Sequence, residues 1–151
     1  SILLKMWKET PDEQRNSVTL DRIMRLYVRA EAQRLTNIRA GQNRRKGNPG
    51  PEMSIAKLAF AELNQDLLTA AVDMMGMAGQ VGCDYTFRRP EDLSVDGSET
   101  GIQHGFLRVR ANSIEGGTSE IMRNILGEQV LGLPGEPRLD KDIPWIEVPR
   151  S

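Results

Sequence analysis

The sequence predicts an all-α fold, an antiparallel four-helix bundle. Apolar residues recur with a period near 3.6 through most of the chain, and no stretch shows convincing alternation with period 2. Connectors rich in Gly and Pro separate the periodic runs, as expected between the helices of a bundle. At 151 residues the chain has the size of one ordinary domain.

The first helix signal is Thr10-Pro11-Asp12-Glu13, with Thr10 as N-cap, Pro11 at the first helical position and Glu13 completing a capping box. The Asn16-Ser17 pair is a point of early interruption. From Leu20 a stripe runs through Ile23, Met24, Tyr27, Val28, Glu31, Leu35 and Ile38, apolar on one face but for the single lapse at Glu31. Arg22, Arg25, Arg29, Arg34 and Arg39 fall mostly elsewhere, which predicts a long amphipathic helix ending near Gly41. Gly47-Asn48-Pro49-Gly50-Pro51 is a connector. Ser54 is then the expected cap of a second helix carrying Ile55, Leu58, Ala59, Leu63, Leu67, Ala70, Ala71 and Met74. Its apolar arc is wide, as for a helix packed on two sides, and Gly76 and Gly79 end it. Residues 80–100 read as a long polar loop, and loops of that length tend to be functional or mobile. A shorter helix is expected from about Gly105 to Ser113, with Phe106, Val109 and Ile114 as its apolar positions. After Gly116-Gly117, Thr118 or Ser119 can cap a last helix with Ile121, Ile125, Leu126 and Val130 on one side. The domain is thus expected over residues 1–134, with residues 135–151 as an extended, Pro-rich charged tail.

Composition excludes several function classes. Lys plus Arg total 20 and Asp plus Glu total 21, a net charge of −1 that argues against a general nucleic-acid or membrane-surface binder. One cysteine, Cys83, and one histidine, His104, exclude an intramolecular disulfide and a Cys/His zinc cage, so no metal site is expected. A mean hydropathy of −0.46 and the lack of a long apolar run argue against a membrane span. With no signal peptide visible, the default setting is cytoplasmic. The chain starts at Ser1, and its first residues read as the middle of something longer.

Most residues with chemical potential have plain structural readings. His104 stands alone, without a nucleophile at a recognisable spacing, and reads as a solvated loop histidine. Arg44-Arg45-Lys46 suits a helix C-terminus, where cations meet the dipole. Met74, Met75 and Met77 read as core filler. Gly76 to Gly82 resembles a dinucleotide loop only superficially, because it follows a helix and not a strand. The informative segment is residues 113–124, where Glu115 sits beside Gly116-Gly117 and a hydroxyl-rich helix start. Glycines let a flat ligand approach the backbone, first-turn N–H groups can receive an anion, and a carboxylate beside a bound ring can act as a base. An N-cap turn with Glu115 in solvent explains the same residues without a ligand.

Glu115-Gly-Gly-Thr-Ser-Glu-Ile-Met-Arg-Asn124, continuing through Ile125-Leu-Gly-Glu-Gln-Val-Leu-Gly-Leu-Pro134, resembles the C-terminal signature of the acyl-CoA dehydrogenase family. Ser54-Ile-Ala-Lys57-Leu and Asp73-Met-Met-Gly76-Met-Ala-Gly79 are similar to the preceding helix of that family and its Gly-rich end. The resemblance runs in the right order from about Leu20 to Pro134. It implies the C-terminal four-helix domain of an FAD-dependent enzyme that oxidises acyl-CoA thioesters to 2,3-enoyl-CoA. In that chemistry a glutamate takes the α-proton and hydride passes to the flavin. Since neither a middle β domain nor the Arg-x-x-Phe-Gly flavin motif of the family is present, the resemblance implies a fragment of a longer flavoprotein.

Carried over position by position, Thr118, Ser119 and Glu120 match residues that approach FAD, and Glu115 is the candidate base. In family members with Tyr-Glu-Gly-Thr the base directly precedes Gly-Thr; here Gly116 takes that place and Glu115 lies one residue earlier. The resemblance thus implies either a shifted base or a bystander to a base drawn, as in other members, from an upstream helix. Asp73, Gly76 and Met77 match the Gln-x-x-Gly-Gly contacts made to the flavin of a neighbouring subunit, with Asp73 replacing Gln and Met77 replacing Gly. The implied partners are an acyl-CoA substrate, an electron-transfer acceptor and further subunits in a homo- or heterotetramer. A non-catalytic helical assembly module of the same family, and a flavin monooxygenase on the same scaffold, are the competing functions. The isolated chain is expected to be inactive, and its wide apolar faces are expected to drive self-association.

Overall fold

The computed structural model describes residues 2–47, 50, 52–81, 101–135 and 143–148. Among these residues there are five α-helices and no strand: α1 (Ile2–Glu9), α2 (Ser17–Arg45), α3 (Glu52–Met75), α4 (Gly101–Arg108) and α5 (Ser119–Ile125). The all-α class is as the sequence predicts. Most of the expected 80–100 loop and most of the 135–151 tail lie outside the described residues; within the tail, Trp145–Glu147 forms one 3-10 turn.

Helix α3 is the axis of the molecule. Ala61, Leu63, Leu68, Ala70, Ala71 and Val72 are all buried on it, and α1, α2, α4 and α5 each pack against it. That is the two-sided burial its wide apolar arc predicts. Leu3 of α1 and Ile23 and Leu26 of α2 complete the main apolar cluster with Leu63, Ala70 and Ala71. Cross-links fix the directions. Arg22 pairs with Asp73, Arg29 with Asp66, and Gln33 reaches the Ala56 carbonyl, so α2 and α3 run antiparallel. On the other side Arg110 meets Gln65, Asn112 meets Asn64, and Lys57 meets Gly117, so the 101–117 segment is antiparallel to α3 as well.

Several boundaries differ from expectation for identifiable reasons. The first eight described residues form α1, which its weak signals did not announce. Thr10 does not cap a helix: its hydroxyl donates back to Met6 O at 2.9 Å, and Pro11 leads only into a 3-10 turn over Asp12–Gln14. Helix α2 starts later because Asn16 is extended and its Oδ1 accepts from Thr19 N at 2.8 Å, a complete N-cap. At the far end α2 passes through Gly41 and stops after Arg45, where Gly47 supplies a φ of +74°. Helix α3 begins at Glu52, with Ser54 inside it. The short helix starts at Gly101, and from Val109 to Ser113 it tightens into 3-10 geometry. His104 therefore lies on α4 and not in a loop, though it is exposed as expected. Thr118 is the cap of α5, whose last turn widens into a π-turn over Leu126–Val130.

The largest correction concerns the α2 stripe. Successive residues of an α-helix are turned by about 100°, so a stripe of mixed i, i+3 and i+4 steps can split into two faces. Ile23 and Leu26 face α3 and are 2% and 4% exposed. Leu20, Met24, Tyr27, Val28, Leu35 and Ile38 are all among the exposed large hydrophobics. The methionines divide similarly: Met74 packs on the core, whereas Met77 is 84% exposed.

Candidate functional site

The segment singled out in the sequence lies at one end of α3. Entering from the 3-10 turn, Ile114 N and Glu115 N both donate to Ala111 O, at 2.9 and 2.8 Å. Glu115 is then gripped from two sides. Arg108 donates to its two oxygens at 3.4 and 2.9 Å, and Asn112 Nδ2 donates to Oε1 at 2.9 Å. Asn112 in turn accepts from the buried Asn64 of α3 at 3.0 Å. The Arg108 hydrogen bond, with help from Asn112 and Lys57, outweighs the opposing effect of partial burial and holds the Glu115 carboxyl below the ordinary glutamate value.

The backbone then turns through Gly116 and Gly117, at φ +65° and +99°, values that L side chains rarely adopt. A Cβ on Gly116 would meet nothing within 4 Å, so one face of the turn is open. A Cβ on Gly117 would lie 2.6 Å from Met122 Cε. Lys57 fastens the turn by donating to the Gly117 carbonyl. Thr118 follows as N-cap, its Oγ1 accepting from Ile121 N at 3.2 Å, and Ser119 is 8% exposed. Glu120 is held below the ordinary glutamate value by its own backbone N–H first, then by the Thr118 hydroxyl, with Arg123 and Lys57 nearby. Arg123 bonds Glu62 at 2.6 Å and so ties α5 to α3. At this end of the bundle a cleft of about 330 Å³ opens between α2 and α3, lined by Asn37, Ala40, Arg44, Met53 and Ala56 among others.

The second predicted set sits at the other end of α3. Sixteen residues of helix separate Lys57 from Asp73, about 24 Å at 1.5 Å per residue. Gly76 adopts φ +57° with open space beside it, and Met77 stands in solvent. Asp73 accepts from Arg22 Nη1 at 2.6 Å. The structure thus brings Glu115, Thr118, Ser119 and Glu120 together, and Asp73, Gly76 and Met77 together, but keeps the two sets apart within one copy.

Neither set is closed to the flavin dinucleotide that the family resemblance implies. A carboxylate replacing an amide at Asp73 repels a pyrophosphate unless a cation intervenes, and Arg22 is that cation, with guanidinium donors beyond the one given to Asp73. The open face of Gly116 leaves backbone accessible to a ring beside the Thr118 and Ser119 hydroxyls. Sequence reasoning missed Arg22, Asn64, Arg108 and Asn112. Arg108 stood two helical turns before Glu115 and was open to detection by its charge, whereas the Arg22–Asp73 pair spans 51 residues and has no local signal. Among the described residues no His/Cys/Asp/Glu cluster could hold a metal, and no helix is long and apolar enough to cross a membrane.

The chain is similar to known proteins in sequence and in fold. The family model for the acyl-CoA dehydrogenase C-terminal domain matches residues 9–131. Acyl-CoA dehydrogenase IpdE1 of Mycobacterium tuberculosis is 30% identical over 118 residues, 78% of this chain and 27% of that protein. Acyl-CoA dehydrogenase IpdE1 of Mycolicibacterium smegmatis is 37% identical over 89 residues, 58% of this chain and 19% of that protein. In fold, the chain is similar to a solved structure described as the Tcur3481-Tcur3483 steroid ACAD, with a TM-score of 0.67 at 20% identity, covering 88% of this chain and 34% of that one. The matched stretch is therefore well under half of each relative. The chain belongs to the acyl-CoA dehydrogenase family, whose C-terminal helical domain it carries.

Proposed function

We propose that this chain is the flavin-contacting and assembly domain of an FAD-dependent acyl-CoA dehydrogenase, acting in the α,β-dehydrogenation of an acyl-CoA thioester to the 2,3-enoyl-CoA. The observation that carries the reading is the Glu115–Thr118 turn: two left-handed glycines braced by Lys57 and Arg108, in a chain of this family. When bound, FAD supplies the hydride acceptor. The chain's own contribution at this end is to present the open backbone of Gly116 and the hydroxyls of Thr118 and Ser119 to it. At the other end Asp73, Gly76 and Met77, with Arg22 balancing Asp73, meet the flavin of a neighbouring subunit. The reading brings with it an acyl-CoA substrate, an electron-transfer acceptor, homo- or hetero-oligomeric subunits and a cytoplasmic setting in lipid metabolism. By itself the chain is expected to show no turnover.

Glu115 is the candidate base of this chain, already ionised. A second reading is favoured by its grip on Arg108 and Asn112: the carboxylate braces the turn, and the base comes from elsewhere in the longer protein. Lowered basicity suits a brace better than a base. Glu115→Gln in the longer protein separates them, since losing a base costs on the order of 10²-fold or more in turnover. Losing a brace lowers thermal stability while turnover persists.

The reading as a whole is tested by adding acyl-CoA to the longer protein without oxygen, with fatty and steroid-bearing acyl thioesters in parallel. Bleaching of a bound flavin, followed by reduction of an added electron acceptor, is the expected result. A protein without flavin, alone or with its partner subunit, contradicts it. Oxygen consumption in place of acceptor reduction points to the monooxygenase.

A further inference from the structure

Lys57 and Asn64 of α3 both reach the 101–117 segment, and they do so differently. Lys57 donates to the Gly117 carbonyl, and Asn64 Nδ2 donates to Asn112 Oδ1 at 3.0 Å. About 10 Å, or two helical turns, separates them on one face of α3, with Ala61 fully buried between them. A lysine stem is flexible and can follow a moving partner, whereas the short asparagine side chain fixes where its partner sits. Asn64 is 7% exposed and its neighbours Ala61, Leu63 and Leu68 are buried and apolar, so its amide is costly there without a hydrogen bond.

The bond from Asn64 also decides how Asn112 faces. Asn112 lends its carbonyl oxygen to Asn64, which turns its Nδ2 toward Glu115 Oε1 at 2.9 Å. With the Asn112 amide turned over, two oxygens would meet at Glu115. Arg108 donates to Oε2 at 2.9 Å and to Oε1 at 3.4 Å, so both carboxylate oxygens are engaged. The residue that opens the Gly116–Gly117 turn is thus anchored by a hydrogen-bonded chain that ends inside the bundle.

We propose that Asn64 is a positioning residue for the Glu115–Thr118 turn, acting through Asn112 on the Glu115 carboxylate. A chain of this kind is polarised along its length, each donor strengthened by the one behind it. Without Asn64 the Asn112 amide is free to turn, and Glu115 keeps the cations that face it, Arg108 and Lys57, but loses an oriented donor. One consequence rests on the flavin reading: the Gly116 backbone presented to the ring has its place set from Asn64.

The test reads Glu115 in the 151-residue chain by carboxyl-carbon NMR titration. Asn64→Ala is expected to shift the Glu115 midpoint upward, because Asn112 no longer offers a fixed donor. Asn112→Ala is expected to shift it upward too, and adding Asn64→Ala to that variant should change nothing further. Asn64→Leu, which keeps the buried volume, carries the same expectation should the alanine variant fail to fold. An unchanged midpoint in a folded Asn64 variant, or in Asn112→Ala, overturns the proposal. So does an equal shift from Asn64→Ala when Asn112 is already gone. The flavin consequence is read separately, as flavin absorbance lost from the purified longer protein carrying Asn64→Ala. Full flavin there, beside a raised midpoint in the chain, leaves the positioning standing and counts against the turn as a flavin contact.

Discussion

The two ends of α3 are built differently. At the Lys57 end everything is fastened within one copy: Lys57 holds the Gly117 carbonyl, Arg108 and Asn112 hold Glu115, and Arg123 holds Glu62. At the Asp73 end an exposed ion pair, and Gln103 of α4 donating at 3.2 and 3.3 Å to the carbonyls of Ala78 and Val81, hold a left-handed glycine followed by a methionine in solvent. The difference teaches what each end is suited for. A preorganised turn can present backbone to a ring without reorganising, while an open, lightly held end has surface to give to another molecule.

The comparison breaks most completely if the helix joining the ends is loosened. Leu68 is 1% exposed at mid-helix, with Gly105 packed on its methyls. Leu68→Ala is expected to cost about 3 kcal/mol in chemical denaturation, and it should weaken both ends together. Next come the glycines. Gly117→Ala adds strain at φ +99° to a contact with Met122 and should cost about 2 kcal/mol. Gly76→Ala faces open space at φ +57° and should cost about 1 kcal/mol. Equal melting temperatures for these two variants would remove the distinction between a fastened and an open end. Smaller still is Asp73→Asn: its pair with Arg22 is about half exposed on both sides, so stability should fall by less than about 1 kcal/mol.

The smallest effect is one of pH. The Glu115 carboxyl is held below its ordinary value in the folded chain, so its contribution is present above the unfolded value and is lost as pH falls through the folded one. Melts on the acid side of the ordinary glutamate range should therefore be steeper in pH for the parent chain than for Glu115→Gln. A pH dependence shared by both would show that Arg108 holds nothing of consequence there.

How much of this was legible in the sequence follows from the range of each interaction. Helices were readable because periodicity is local, and Thr118 was readable as a cap because its bond spans three residues. The Thr10 signal misled because a better N-cap, Asn16, competed a few residues later. The α2 stripe misled for a different reason: hydrophobicity marks a face to be covered but not what covers it, and Ile23 shares its apolar character with Met24, which points outward. At the site, the carboxylate and the glycines were visible as a cluster. Their supports Lys57 and Asn64 reach across 60 and 48 residues, as Arg22 reaches Asp73 across 51 at the other end of α3, and only the fold could join them.

The central claim is that the two ends of α3 serve a flavin from different copies. Complementation in the longer protein measures this most directly. Thr118→Ile breaks one end and Gly76→Val the other, and each variant alone is expected to purify with its flavin absorbance largely lost. Coexpression of the two should restore about a quarter of the parent's flavin, because random pairing leaves one intact site in half of the dimers. Flavin retained by both single variants, or none recovered on mixing, would contradict it.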